Sequence, residues 1–350
     1  MRFNINHNNL LDIINLNFNV YYPLKEFVSK KNFLSITRKC RLVNEEFFPL
    51  PIFINISLNL YNKYKSNKII KAYYKSKKVC NLEIKSFYTL DKKKVGKLIF
   101  QTKDINHPGF KQFLNSGNYF IHCKIKNFNN KIMRNLHFSY PSEIKSKFIK
   151  CKLKTVVGFH TRNVPHRAHE WIHTLGLSKC EGLFIHPIIG QYKKNEYKEK
   201  IIIKSNLKLI KDIYKNKNIF FGLFNSYPRY AGPRESLFHA IIRRNYGCTH
   251  FMLGRDHAGV EKYYAKYASQ KLCLKYENDL KIQIISFKEP YLCNICKKIV
   301  NKKCVHNYKV SKKLISGTLI RKLILQNLKI PDIYMRKKIS SLLKQSSIIL

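Results

Sequence analysis

Four short islands hold most of the residues that could do chemistry. The richest runs Val156-Val157-Gly158-Phe159-His160-Thr161-Arg162-Asn163-Val164-Pro165-His166-Arg167-Ala168-His169-Glu170. An apolar strand feeds a polar turn, and a helix is predicted to begin near Pro165, a residue suited to a first helical turn. His166 and His169 are three apart and share one face of that helix. Its first backbone amides and the positive end of its dipole favour phosphate. Two imidazoles, the Arg162 guanidinium and the Thr161 hydroxyl add up to a polyphosphate cradle. A bare HxxH pair is as readily an ordinary core or surface pair; the strand–turn–helix setting points to a ligand, because ligands collect at the carboxyl ends of parallel strands.

The other islands repeat the setting. Met252-Leu253-Gly254-Arg255-Asp256-His257-Ala258-Gly259 follows a strand, with glycines that allow close backbone approach and with donors for an anion. Arg229-Tyr230-Ala231-Gly232-Pro233-Arg234-Glu235 turns into a helix through His239 and Arg243, and His186-Pro187-Ile188-Ile189-Gly190 ends another strand. Each alone could be turn chemistry; together they predict basic and glycine groups at successive strand ends. A separate cluster, Cys293-x2-Cys296-x7-Cys304-x-His306, matches the ligand supply of a tetrahedral zinc site. Four protein ligands would make that site closed and structural. Three free thiols in a loop are the alternative.

The elements that must position these groups fall into three regions. Between about residues 31 and 140, short apolar runs alternate with polar breaks (Phe53–Leu58, Ile69–Tyr74, Leu98–Phe100, Tyr119–Ile125), the texture of a mostly β domain with a few helices. Beyond residue 150, strand-like runs at Thr155–Phe159, Gly182–Pro187, Ile219–Leu223 and His250–Leu253 alternate with helical patterns at Arg167–Leu175, Lys204–Lys215 and Glu235–Arg244. That alternation predicts an α/β fold with a parallel sheet and crossover helices. The last sixty or so residues carry the cysteine cluster and then helical sequence.

Composition narrows the function. A chain of 350 residues with 45% hydrophobic content can build cores, so wholesale disorder is excluded. No apolar run reaches the ~18–20 residues needed to cross a bilayer, and Met1–Leu11 lacks the apolar stretch of a secretory signal. The ten cysteines therefore read as reduced thiols in a cytoplasmic compartment. The net charge of +47 invites a nucleic-acid partner, but its lysines are spread along the whole length together with Asn, Ile and Tyr. These residues share A/T-rich codons, so drift in base composition accounts for the excess without a polyanion.

The islands resemble the sulfate adenylyltransferases, or ATP sulfurylases, of the single-function bacterial and archaeal kind. That family shows QTRNPxHRAHE, HPxxG, RYAGPRE, NYGCTHFxxGRDHAG and a late ISGT. This chain has His160-Thr-Arg-Asn-Val-Pro-His-Arg-Ala-His-Glu170, His186–Gly190, Arg229–Glu235, Asn245–Gly259 and Ile315-Ser-Gly-Thr318. More loosely, Tyr22–Phe27 stands where the family has SPLxGF, His107-Pro108-Gly109 matches HPG, and His7-Asn8-Asn9 resembles a worn HGG. The resemblance implies a PUA-like β-rich domain over 1–148, a Rossmann-like nucleotidyltransferase domain over 149–288, and a small zinc-bearing, helical part over 289–350. It implies in-line attack of sulfate on the α-phosphorus of ATP, giving adenylyl sulfate and pyrophosphate reversibly, with magnesium accompanying ATP and a homo-oligomeric assembly. By motif match Thr161, Arg162 and Asn163 are the catalytic trio. His160, Arg162 and Ala258 hold sulfate, and His166 and His169 hold the ATP phosphates. Arg255 supports the leaving pyrophosphate, and Gly254, Arg255, Asp256 and His257 border the nucleotide, with 160–163 also touching it. Two departures bear on the sulfate side: the family Gln is His160 here, and the proline has moved to Pro165.

Two rivals remain at this point. Another HxxH adenylyltransferase with a different acceptor would not need RYAGPRE and GRDHAG beside the histidines. A non-catalytic RNA-binding PUA-like protein would need basic and aromatic residues gathered on one face. A fused adenylyl-sulfate kinase is excluded by the lack of a GxxxxGK[ST] loop.

Overall fold

The computed structural model describes residues 1–190, 195–301, 304–306 and 312–349. The chain divides into two compact units, each drawn from separated stretches. The first comprises Met1–Lys145, Asn225–Gly247 and Asp256–Ile284, and the second Ser146–Phe224, Cys248–Arg255 and Ile285–Leu350.

The first unit is built on a sheet in the order β1 (Arg2–Asn4), β3 (Ile69–Tyr74), β4 (Lys77–Tyr88), β5 (Tyr119–Lys126), β2 (Ile54–Ile56). β1 runs parallel to β3, and the other pairs are antiparallel. The aromatic enrichment of its runs becomes a ring cluster: Phe33, Phe53, Phe113 and Phe120 pack with centroids 5.3 to 6.4 Å apart. One apolar run behaves otherwise. Leu98–Phe100 closes a helix, Lys92–Phe100, capped by the Asp91 carboxylate, which accepts from the Lys94 amide at 2.9 Å. Val95, Ile99 and Phe100 are buried at helical spacing, so period and cap decide against a strand. Helix Pro233–Asn245, slightly longer than its sequence pattern, is buried along nearly its whole length in this unit.

The second unit carries the parallel sheet: β6 (Val156–Thr161), β7 (Gly182–Ile189) and β8 (Ile219–Phe221) in sequence on one side, with β10 (His250–Leu253) and then β11 (Gln283–Ser286) on the other side of β6. The chain leaves this unit within β9 (Phe224–Asn225) and finally re-enters it within β11. Helices Arg167–Leu177 and Glu199–Ile213 bury Ile172 and Leu209 in one apolar cluster with Val157, Leu183, Ile185 and Met252. Near the C-terminus β12 (Tyr291–Cys293) lies between β13 (Ile299–Val300) and β14 (Lys312–Lys313), antiparallel to both. Among the described residues no helix is long and apolar enough to cross a membrane.

Candidate active site

In the second unit the first island leaves the sheet at the carboxyl end of β6. Thr161 is buried, and its hydroxyl oxygen accepts from the Asn163 amide at 3.1 Å, which closes the turn. Arg162 stays on the outside, its side chain 54% exposed, with Nη1 3.5 Å from Oε1 of Glu196. Asn163 turns its Oδ1 to the guanidinium of Arg321, which donates at 2.7 Å. The helix begins at Arg167, where its helical pattern starts, with Pro165 just outside it and His166 as its N-cap. The His166 amide donates to Nδ1 of His169 at 3.4 Å, and the two rings stack with centroids 3.8 Å apart, 15° from parallel. His173, one turn on, shares Nδ1 with the Tyr214 hydroxyl at 2.7 Å.

Electrostatics follow from burial. Desolvation holds His166 well below the usual imidazole range, aided by the neighbouring His169 and His173. His169 is pushed down to about 4 by burial, with the Val164 carbonyl opposing. Two stacked imidazoles cannot both be charged cheaply, so both are neutral near pH 7. Nδ1 of His166 is buried with no hydrogen-bond partner among the described residues, the condition of a group waiting for a ligand. On the adjacent strand β10, Gly254 and Arg255 follow at the same end of the sheet. Arg255 pairs with Glu289, Nη1 to Oε2 at 3.0 Å, while its Nε is buried without a partner among the described residues. His160 sits at the end of β6 in register with His186 of β7. His186 is thus inside a strand, and the fourth island's turn begins only at Gly190.

Asp256, His257 and Ala258 belong to the first unit. His257 Nε2 lies 3.0 Å from His239 Nδ1, and Ser269 donates to the His257 carbonyl at 2.6 Å. Burial and the charge of Arg243 push His257 down to about 3. The turn is tight. Ala258 takes a left-handed φ of 55°, and a Cβ on Gly259 would fall 2.1 Å from the Asp256 carboxylate, so only glycine fits there. The third island, expected as a turn into a helix, is one, and its charges are turned inward. Arg229 pairs with the fully buried Asp12 and with the Tyr227 hydroxyl, Glu235 accepts from the amides of Arg229 and Ala231 at 2.9 and 3.1 Å, and Arg234 donates to the carbonyls of Ile36 and Thr37. Its charges are engaged in holding the first unit together.

The cysteine cluster forms as spaced. Cys296 and Cys304 sulfurs are 3.8 Å apart, and the His306 Nδ1 lies 3.5 and 3.3 Å from the sulfurs of Cys293 and Cys304. All four ligand atoms fall within 4.8 Å of one another. With Zn–S of ~2.3 Å and Zn–N of ~2.0–2.1 Å, a tetrahedron has S–S edges of ~3.8 Å and S–N edges of ~3.6 Å. The donor set fits such an ion. Burial would raise the Cys293 thiol, but the amides of Cys296 and Ile295 and the neighbouring thiols bring it down to about 6, toward the thiolate a metal needs.

Comparison with known proteins now decides the family. The family model described as ATP-sulfurylase matches residues 137–346, a span that contains all four islands and the cysteine cluster, and a PUA-like domain model matches residues 1–130. The chain belongs to the ATP-sulfurylase family. A sulfate adenylyltransferase of Pyrococcus abyssi is 34% identical over 97% of this chain and 89% of its own length. One from Chloroflexus aurantiacus is 30% identical over 93% and 85%. A solved structure, a hexameric APS kinase from Thiobacillus denitrificans, superposes with a TM-score of 0.72 at 14% identity, covering 97% of this chain; the chain spans 62% of that protein's length, and the likeness speaks for the fold. As an ATP-sulfurylase the chain is a nucleotidyltransferase. Sequence reasoning passed over three residues that touch the expected site residues, Glu196, Glu289 and Arg321, and placed His239 only on the helix after the third island. The first two carry no local signal, because their partners are distant in sequence. Arg321 had one: it stands three after Thr318 of the ISGT motif, on the same face of helix Gly317–Leu325.

Proposed function

We propose that the cluster at the carboxyl end of β6 is where ATP and sulfate react. The chain transfers the adenylyl group of ATP to sulfate, giving adenylyl sulfate and pyrophosphate, and runs in either direction. A sulfate oxygen attacks the α-phosphorus in line as pyrophosphate leaves. No covalent enzyme intermediate is needed, so position and charge compensation carry the rate. The observation that supports this most is the stacked, neutral His166–His169 pair at a helix N-terminus, with an unsatisfied ring nitrogen, directly after the Thr161–Asn163 turn. His166 and His169 take the β- and γ-phosphates, and Arg255 the charge that grows on the leaving pyrophosphate. Arg162 and His160 grip sulfate, while Thr161 and Asn163 steady the group in flight. Gly254 borders the nucleotide.

Magnesium comes with the ATP phosphates instead of sitting in an all-protein cage. Cys293, Cys296, Cys304 and His306 would hold a structural zinc, which supplies cross-linking of the C-terminal strands and no step of the reaction. We assign the PUA-like part to 1–148, catalysis to 149–288 and the zinc loop with its helices to 289–350. We further place the protein in the cytoplasm as a homo-oligomer with no nucleic-acid partner. The absence of disulfides among the ten cysteines supports the compartment, and the dispersed lysines the lack of a nucleic-acid partner.

The deciding experiment is sulfate-dependent pyrophosphate release by Arg162→Ala. Two charged hydrogen bonds at the low end of ~1.5 kcal/mol each correspond to a loss of about 10²-fold in kcat/KM. A variant as active as the parent would overturn the assignment.

A further inference from the structure

We propose that Arg321 is a positioning residue for the transfer step: it fixes the side-chain amide of Asn163 so that its NH2 group faces the reacting anion. The proposal rests on the catalytic reading of Asn163 and adds what makes that residue a donor. Arg321 lies on helix Gly317–Leu325, far along the chain from the β6 turn. Its Nη1 donates to Asn163 Oδ1 at 2.7 Å, and its Nη2 donates to the Thr318 hydroxyl at 3.2 Å. The guanidinium carbon sits 5.8 Å from the centre of the Tyr197 ring. The guanidinium is therefore held from three directions.

The chemistry of the pair allows only one orientation. A guanidinium carries donors and no acceptor, so an amide that meets it must turn its oxygen inward and its nitrogen outward. An unclamped asparagine would present either atom, and the oxygen would repel phosphate and sulfate. A second observation places the same segment against the same side chain. A Cβ at Gly317 would lie 2.5 Å from Asn163 Oδ1, 2.6 Å from Cγ and 2.9 Å from Nδ2. Any side chain at 317 would push the amide out of place, and only the bare backbone of glycine lets the helix start so close. Ser316 caps that start, its hydroxyl oxygen accepting from the Leu319 amide at 3.2 Å. The Ser-Gly-Thr-x-x-Arg stretch thus serves as a clamp: the cap sets the helix, the glycine lets it approach, and the arginine locks the amide.

A double-mutant cycle tests this with four proteins: the parent, Asn163→Ala, Arg321→Ala and the double variant. For each, kcat and the KM for ATP are read from sulfate-dependent pyrophosphate release, and thermal melting is followed beside them. Arg321→Ala should lower kcat by roughly 10- to 100-fold with KM little changed, the scale of misplacing a catalytic group by about an ångström. In the Asn163→Ala background the same substitution should change kcat by less than ~2-fold, because the group it orients is gone. Arg321→Lys keeps a donor for Oδ1 and should recover part of the loss; it carries the same cycle if the alanine variant melts too low to assay. Equal losses in both backgrounds, or losses that track the melting temperature, would overturn the clamp. A fully active Asn163→Ala would instead overturn the catalytic reading of Asn163 on which the clamp depends.

Discussion

The stacked histidine pair, His166 buried and His169 half-buried, makes the second unit sensitive to acid in a calculable way. His169 is held at about 4, against a reference of 6.5 in the unfolded chain. Its imidazole packs against His166, His173 and the Phe159 ring, and the desolvation this brings outweighs the Val164 carbonyl, which favours the charged form. Because the folded value is depressed, the unfolded state binds the proton more tightly throughout this window. Stability is therefore fully present above about pH 6.5 and is lost as pH falls toward 4. The whole gap is worth about 3.4 kcal/mol; between pH 7 and pH 5 this one residue costs about 2 kcal/mol. His169→Asn keeps an acceptor for the His166 amide and removes the titration. The assay is urea unfolding at pH 7, 6 and 5 followed by the fluorescence of Trp171, the single tryptophan, on the same helix as the pair. The parent should lose about 2 kcal/mol more than His169→Asn over that range. Parallel losses in the two proteins would refute the neutral pair, and with it the electrostatic picture of the cradle.

Two further outcomes follow from groups outside the cradle. Purified protein should carry one zinc per chain, and Cys296→Ser should abolish it; chelation should lower the melting temperature before it slows pyrophosphate release, whereas metal-free protein with all thiols titratable would reject the site. Asp12→Asn should destabilise the first unit by about 3–5 kcal/mol in denaturant titration, because it leaves Arg229 buried without its counter-charge, and a loss under about 1 kcal/mol would show that the pair is not what holds the third island.

How much the sequence disclosed depended on the range over which each signal acts. β10 matches its apolar run residue for residue, and β6 and β7 run a residue or two further than theirs, because a strand buried on both faces writes itself as a continuous hydrophobic stretch. The cysteine ligands were legible for the same local reason: four donors within fourteen positions have few ways to arrange themselves. Leu98–Phe100 was misleading because three apolar residues do not distinguish a strand from a helix end; the Asp91 cap was the missing cue. The ambiguity of Arg229–Glu235 had a different origin. The same charges that suit an anion site also suit a buried clamp, and the choice lies with Asp12, more than two hundred residues away. Likewise nothing near Arg162 or Arg255 announces Glu196 or Glu289.

The chemical character of the proposed phosphate site makes sense of one further contrast. In a chain with 67 lysines and arginines, the groups assigned to the ATP phosphates are two neutral histidines. Lysines there would add full charges and bind substrate and product polyphosphate alike, which lowers KM without lowering the barrier. A reversible transfer between ATP and pyrophosphate is better served by donors of moderate strength, aided by a helix N-terminus, that release either ligand. The full charges sit instead on Arg162 and Arg255, and both are paired with a carboxylate, Glu196 and Glu289. On the proposed roles each arginine would exchange that carboxylate for a substrate oxygen, so its net contribution would be the difference between two ion pairs. The attraction is then greatest where the incoming group carries more charge than a carboxylate, as the leaving pyrophosphate and the sulfate dianion do. On the proposed assignment, charge in this site is matched to the groups that bear it during transfer.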